Sequence, residues 1–320
     1  SAKPRSRRFP PSPDEIRQTS GPMISLAFHH DRIVAATISD GGDFVLASDV
    51  ATPDGDYRGW LLAARDAVDA LGDGTAAMKV AVALPAIVDE GVISFTPLAT
   101  IGQSNLQRDL QSALGREVGL YGFGDCLAAF EARDVPKNDT LVALWIGKSC
   151  HGGIRVNGAR LAGAHGAAGN WAHLQLPSPV PHELDGRHCW CGRGGCLETF
   201  LSESGFEDDY EHITGERHDA ASIAAAAATG DIVADSVVQV FEDRLGRATA
   251  TIISLFDPQI SIIGVMVPFP ERLETLVPRK WPGYIRSSVN SFIVVRLRTS
   301  NSCPNHLYLH GAAHLCGYAK

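Results

Sequence analysis

Three thiols fall within eight positions of a glycine-rich run, His188-Cys189-Trp190-Cys191-Gly192-Arg193-Gly194-Gly195-Cys196-Leu197-Glu198. Cys-x-Cys, then a third Cys after four residues, brings three thiolates around one point, and the glycines let the backbone fold tightly about an ion. Zinc takes four ligands, and a closed set of three cysteines and one histidine marks a structural site rather than a catalytic one. The fourth ligand has to come from elsewhere. His173 is the leading candidate, but spacing alone does not separate it from His165, His182 and His188. The seven cysteines are an odd number, and the N-terminus lacks a secretory apolar core. A cytoplasmic location is therefore the expectation, and there a cysteine cluster more often binds metal than forms disulfides.

Other residues able to do chemistry are scattered. His29, His30, Asp31 and His151 stand in short turns between apolar runs, where imidazoles suit acid–base work near neutral pH. Exposed surface histidines are the plainer reading of the same residues. Gly147-Lys148-Ser149 has the ending of a phosphate-binding loop, but its first glycine should stand at position 142, which is Val142. Lys148 remains an anion-attracting group. Asp125 either serves as a base or caps the helix that follows it.

The elements that must position these groups alternate between strand and helix patterns. MISLAFHHDRIVAATISDGGDFVLASDV reads as three strands joined by a tight turn and by Gly41-Gly42. A helix is expected from Tyr57 to about Leu71, then a buried strand ending at Pro85, then a helix stopped by Gly115. Strand EVGLYGF, helix DCLAAFEARD and strand TLVALWIG follow. After an irregular stretch from 158 to 197 come an Ala-rich helix, a long helix ending at Asp257-Pro258, and the strand QISIIGVMV. This order predicts an α/β fold with largely parallel central strands. At 320 residues two packed domains are expected. Residues 1–21 are basic and Pro-rich and read as a flexible tail. Hydrophobic residues at 45% and charged residues at 20% are ordinary globular values, and a net charge of −8 argues against a nucleic-acid-coating surface. No apolar run approaches the ~20 residues of a membrane span.

CWCGRGGCLETFLS resembles the signature Cys-x-Cys-Gly-x-x-Gly-Cys-x-Glu of the ROK family of sugar kinases. GAAGNWAHLQLP stands where that family has Glu-x-Gly-His, and ETFLSESGFEDDYEHITG and DRLGRATATIISLFDPQISIIG are also similar. The resemblance runs from Met23 to the C-terminus and is closest to the bacterial fructokinase and N-acetylglucosamine kinase branch. It implies a two-domain actin/hexokinase-like (ribonuclease H-like) α/β fold. The smaller unit would span 22–121, joined by 307–320, and the larger 122–306 with a zinc loop at 158–198. It implies structural Zn2+ held by His173, Cys189, Cys191 and Cys196. It also implies Mg-ATP and a sugar in the cleft, and a homo-oligomer (dimer or tetramer) or a pairing with an active kinase paralogue. No nucleic-acid or membrane partner is expected.

Residue by residue, the chain departs from that family at the cleft. Ala27-Phe28-His29-His30-Asp31-Arg32 replaces the phosphate turn Asp-x-Gly-Gly-Thr-Lys. Gly147-Lys148-Ser149-Cys150-His151-Gly152-Gly153 replaces the second turn, and Gly264-Val265-Met266 replaces a triple glycine on the adenosine side. The catalytic aspartate falls on Phe123, with Asp125 two residues on. Sugar-contacting positions fall on Phe95, Pro97 and Asn170, while Glu198 and His173 match. The resemblance therefore implies sugar binding through Glu198, His173 and Asn170. Lys148, Gly152 and Gly264 are what is left of the nucleotide site. The sequence points to a sugar-binding or repurposed homologue that has lost efficient phosphorylation. One alternative is an active hexose or N-acetylhexosamine kinase with Asp125 as base. Others are new chemistry at His30 and His151, and the effector part of a ROK transcription regulator.

Overall fold

The segment MISLAF is apolar on both of its alternating faces, which suits a strand covered on both sides. In the computed structural model it is β1 (Met23–Phe28), followed by β2 (Arg32–Ile38) and β3 (Phe44–Ala51), all antiparallel. The structure describes residues 21–39, 44–52, 55–184, 187–265, 270–286, 294–299 and 304–317. The expected tail (apart from Gly21), the turn glycines Gly41 and Gly42, Met266 and Cys303 lie outside the described residues.

Helix α1 (Tyr57–Asp69) starts where the Asp56 side chain accepts the Gly59 N–H, and it buries Trp60, Ala63, Ala64, Ala67 and Val68 at helical spacing. Strand β4 (Val80–Leu84) lies parallel to β1. A small hairpin of β5 (Ile87–Asp89) and β6 (Val92–Phe95) follows. Helix α2 (Leu106–Leu114) is capped by Asn105 and stops at Gly115, whose φ of 63° is left-handed. Strand β7 (Val118–Gly122) completes a sheet of order β3-β2-β1-β4-β7.

Helix α3 (Phe123–Glu131) leads to a second sheet. Strands β8 (Leu141–Ile146), β9 (Cys150–Val156) and β10 (Ala159–Arg160) are antiparallel. Beyond the irregular loop come α4 (Glu203–Thr214), α5 (Ala220–Ala228) and the long α6 (Ile232–Phe256). Strand β11 (Ile260–Val265), helix α7 (Pro270–Lys280), strand β12 (Val294–Thr299) and helix α8 (Pro304–Leu315) close the chain's elements. The second sheet runs β10-β9-β8-β11-β12, with the last two pairings parallel. Each sheet thus joins an antiparallel meander to two parallel strands. The expected parallel centre is only half of each sheet, because short turns such as His29-His30-Asp31 permit only antiparallel return.

Alternation along the strands sorts the core. Ile24, Leu26 and Phe28 face α1 and α2, whereas Met23 and Ala27 share a cluster with Tyr308, Leu309, Ala312 and Ala313 of α8. Ser25 donates its hydroxyl to the Leu309 carbonyl at 2.7 Å. In the second sheet Val142, Leu144 and Ile146 pack with α6, and Leu141, Ala143 and Trp145 with α3. Helices α3 and α8 cross between the sheets at very short range. A Cβ on Gly124 would come 1.8 Å from the Gly152 carbonyl oxygen, and one on Gly311 1.9 Å from that of Cys126. Only glycine permits these approaches. Among the described residues no single helix is long and apolar enough to cross a membrane.

Candidate active site and metal centre

The two sheets enclose a cleft of about 740 Å³. It collects the turn His29–Arg32, the strand-to-helix junction Gly122–Asp125, the turn Lys148–Gly152, and Asn170, His173, Trp190 and Glu198. Residues far apart in sequence therefore meet where the notable side chains stand. His29 and Asp31 both feel the charge of Lys148, so the two altered turns face one another.

The floor is aromatic. Phe123, the first residue of α3, stacks on Tyr308 of α8 at 3.9 Å and 6°. His29 and His151 border the same ring at 5.2 and 5.4 Å. His151 Nε2 lies 2.7 Å from Ser149 Oγ, and burial, with the charges of His29 and His173, pushes its pKa down to about 4. The imidazole is neutral at physiological pH. Burial lowers the pKa of His29 too, and its Nε2 has no hydrogen-bond partner among the described residues. His30 and Lys148 are exposed, and Asp31 is already paired with Arg32 at 2.8 Å.

Asp125 lies in the first turn of α3 rather than at its cap, which is Gly122. Helix α3 begins two residues earlier than the sequence pattern indicated, because Phe123 and Gly124 already pack helically. The carboxylate accepts the Gly122 N–H and pairs with Arg160 of β10 at 2.9 Å. Burial raises its pKa to about 6 against the pull of Arg160 and of that N–H. Glu198 accepts the Cys150 N–H at 2.8 Å and the Trp190 indole N–H. Burial brings this carboxyl to about 7. Asn170 and Gly152 line the cleft, but Gly264 does not: it sits in β11 where an added Cβ would meet the Trp145 ring at 2.2 Å.

His173, Cys189, Cys191 and Cys196 come together, with all four ligand atoms within 4.8 Å of one another. His173 ends a 3-10 turn (Trp171–His173), and the antiparallel bridge Gln175–Cys196 brings it to the cysteine loop. Cys189 Sγ lies 3.5 Å from His173 Nδ1, and Cys191 Sγ lies 3.6 Å from Cys196 Sγ. A tetrahedral ion with ~2.3 Å bonds to sulfur and ~2.0 Å to nitrogen has edges of about 3.5–3.8 Å, which these two separations match, and the donor set is one that suits zinc. The other histidines considered, His165, His182 and His188, are not in the cluster.

The loop is fastened from behind by buried charge. Glu183 receives Arg244 Nε at 2.7 Å, Arg247 through a second guanidinium at 2.8 Å, and the Val180 N–H at 2.9 Å. Arg187 and Arg244 both reach Asp209, and Arg187 also donates to the carbonyls of Thr199 and Gly205. Burial pushes the Glu183 carboxyl up, but Arg247, Arg244 and the Val180 N–H outweigh it and hold the pKa at about 2.

Sequence reasoning did not single out Arg160, Tyr308, Asn305 (which lines the cleft and hydrogen-bonds His29) or the pairing of Phe95 with Trp190. Each depends on contacts across the fold, and none belongs to a local motif.

The family model described as "ROK family" matches residues 24–317. The N-acetyl-D-glucosamine kinase of Pectobacterium atrosepticum is 31% identical over 201 residues, 61% of this chain and 66% of that enzyme. The chain thus spans about two thirds of that relative's length. A ROK family glucokinase from Streptomyces griseus, solved with glucose and AMPPNP, superposes with a TM-score of 0.75 at 22% identity, covering 92% of this chain and 99% of that one. A ROK family transcriptional regulator, a homologue of the E. coli MLC protein, gives 0.78 at 22% identity, covering 94% and 80%.

Proposed function

Because the chain belongs to the ROK family, we propose that its cleft binds a hexose or N-acetylhexosamine and transfers to it the terminal phosphoryl group of Mg-ATP. The observation that carries this reading is Asp125, a cleft carboxyl with a pKa of about 6, held in place by Arg160 and the start of α3. A base poised near neutrality suits removal of a hydroxyl proton. The sugar oxygen attacks the terminal phosphorus, the bond from that phosphorus to the oxygen bridging to ADP breaks, and Asp125 takes the proton. Lys148, exposed at the mouth beside the altered turns, offers a cation to the phosphates. Glu198 and Asn170 face the sugar end. The zinc set is read as structural, holding the loop that carries Trp190 and Glu198. The units 22–121 with 307–320, and 122–306, are read as the bodies that close on the ligand, and the chain as a homo-oligomer.

A second reading is a sugar-binding protein without turnover. Phe123 stands at the family's base position and stacks on Tyr308, and Asp31 is paired with Arg32 and is not left free for a metal. One experiment separates the two: ADP release with N-acetylglucosamine, N-acetylmannosamine, glucose and fructose, beside calorimetric binding of the same sugars. Turnover that Asp125→Asn abolishes supports the kinase. Saturable sugar binding with no ADP release rejects it in favour of the second reading.

A further inference from the structure

Phe95 of β6 and Trp190 of the cysteine loop stack on one another at 4.8 Å and 25° in the lining of the cleft. His173 meets both rings edge-on, at 5.1 and 4.8 Å. Pro97, Leu98 and Ile87 are further apolar residues of the lining. The polar atoms of Trp190 and His173 are already engaged. The Trp190 indole N–H goes to Glu198, whose carboxylate also holds the Cys150 N–H, and His173 Nδ1 is turned to Cys189. What Phe95 and Trp190 offer a ligand is ring surface alone. Trp190 keeps 46% of its surface exposed, a large apolar area to leave open beside a cleft.

Elsewhere in the lining, Asp125 with Arg160, Ser149 with His151, and Lys148 supply hydrogen bonds and charge. Phe95 and Trp190 give a ligand's hydroxyls no partner, so a hydroxyl turned toward these rings would stay unpaired, whereas an apolar group there would not.

Resting on the reading that the ligand is a sugar, we propose that the cleft selects a hexose or hexosamine bearing an apolar acyl or aryl substituent larger than acetyl, which lies on the Phe95–Trp190 pair. The sugar ring then lies among the polar groups of the lining, with Asp125 at a hydroxyl. Phe95 and Trp190 are specificity-determining residues in this arrangement.

The test is calorimetric binding of matched pairs: glucosamine acylated with acetyl or with benzoyl, and N-acetylglucosamine with or without a phenyl aglycone. The substituted member of at least one pair should bind about tenfold or more tightly, since a buried, stacked ring contributes well over that factor. In Phe95→Asn that ratio should fall toward one, and in Phe95→Leu it should be intermediate, with circular dichroism reporting that both variants fold. Equal or weaker binding of both substituted ligands, while the parent sugars bind, overturns the inference and leaves the sugar reading intact. Failure of every carbohydrate to bind overturns both. A ratio unmoved in folded Phe95→Asn and Trp190→Ala removes the aromatic pair from the account.

Discussion

Replacing Glu183 by Gln removes one charge and little volume from a site where Glu183, Arg244 and Arg247 are all nearly fully buried, their side chains 1%, 2% and 3% exposed. The carboxylate's pKa falls from 4.5 to about 2 on folding. At ~1.4 kcal/mol per tenfold change in proton affinity, that corresponds to about 3 kcal/mol in favour of the ionised form. Breaking a buried pair on one side typically costs ~3–5 kcal/mol, so the two routes agree. The variant should lose about 3 kcal/mol in urea unfolding at pH 7. Because the folded pKa is depressed, the contribution is complete above the unfolded value of 4.5 and is lost as the pH falls toward 2. The gap between wild type and variant should thus narrow by roughly 1 kcal/mol at pH 4. A gap under ~1 kcal/mol at pH 7, or one that widens on acidification, would refute the claim that this pair fastens the loop.

Purified protein should carry one zinc per chain by atomic absorption, and Cys191→Ser should lower occupancy and change the near-ultraviolet circular dichroism of the neighbouring Trp190. Gly311→Ala should cost ~3 kcal/mol or more in thermal or urea unfolding, because α8 must move off the Cys126 carbonyl. Gly283→Ala, whose Cβ meets nothing within 4 Å, is the control. ADP release, if Asp125 is the base, should rise through pH of about 6 as its carboxyl ionises, and Arg160→Met should move that midpoint upward by removing a cation that lowers it. A midpoint that stays put in the Arg160 variant assigns the titration to another group.

Local patterns carried much of this fold. Gly115 and the Asp257-Pro258 step end their helices where punctuation residues demand it, and the buried strands 80–84, 141–146 and 260–265 read directly from their apolar runs. The cysteine trio was legible for the same reason. His173 was not, since four histidines had equal claim by spacing, and only the resemblance and then the Gln175–Cys196 bridge selected it. Asp125 and Arg160 are 35 positions apart, and Phe95 comes from β6 whereas Trp190 comes from the cysteine loop. Nothing local marks such partners, because the fold creates the pairing. The last helix was legible only through the resemblance: its residues carry no strong local signal, yet Tyr308, Leu309, Ala312 and Ala313 cover one face of the first sheet.

That cover has a consequence for the order of events at the ribosome. Strands β1, β2 and β4 are synthesised first, but the face bearing Met23, Ala27, Ala36 and Ala83 meets its partners Tyr308, Leu309 and Ala312 only when the final stretch emerges. At ~5–20 residues per second, the interval between β7 and α8 is on the order of ten to forty seconds. Through that interval the nascent sheet carries an open apolar face, a site for a chaperone or for a wrong neighbour. Premature termination before Pro304 would make that exposure permanent.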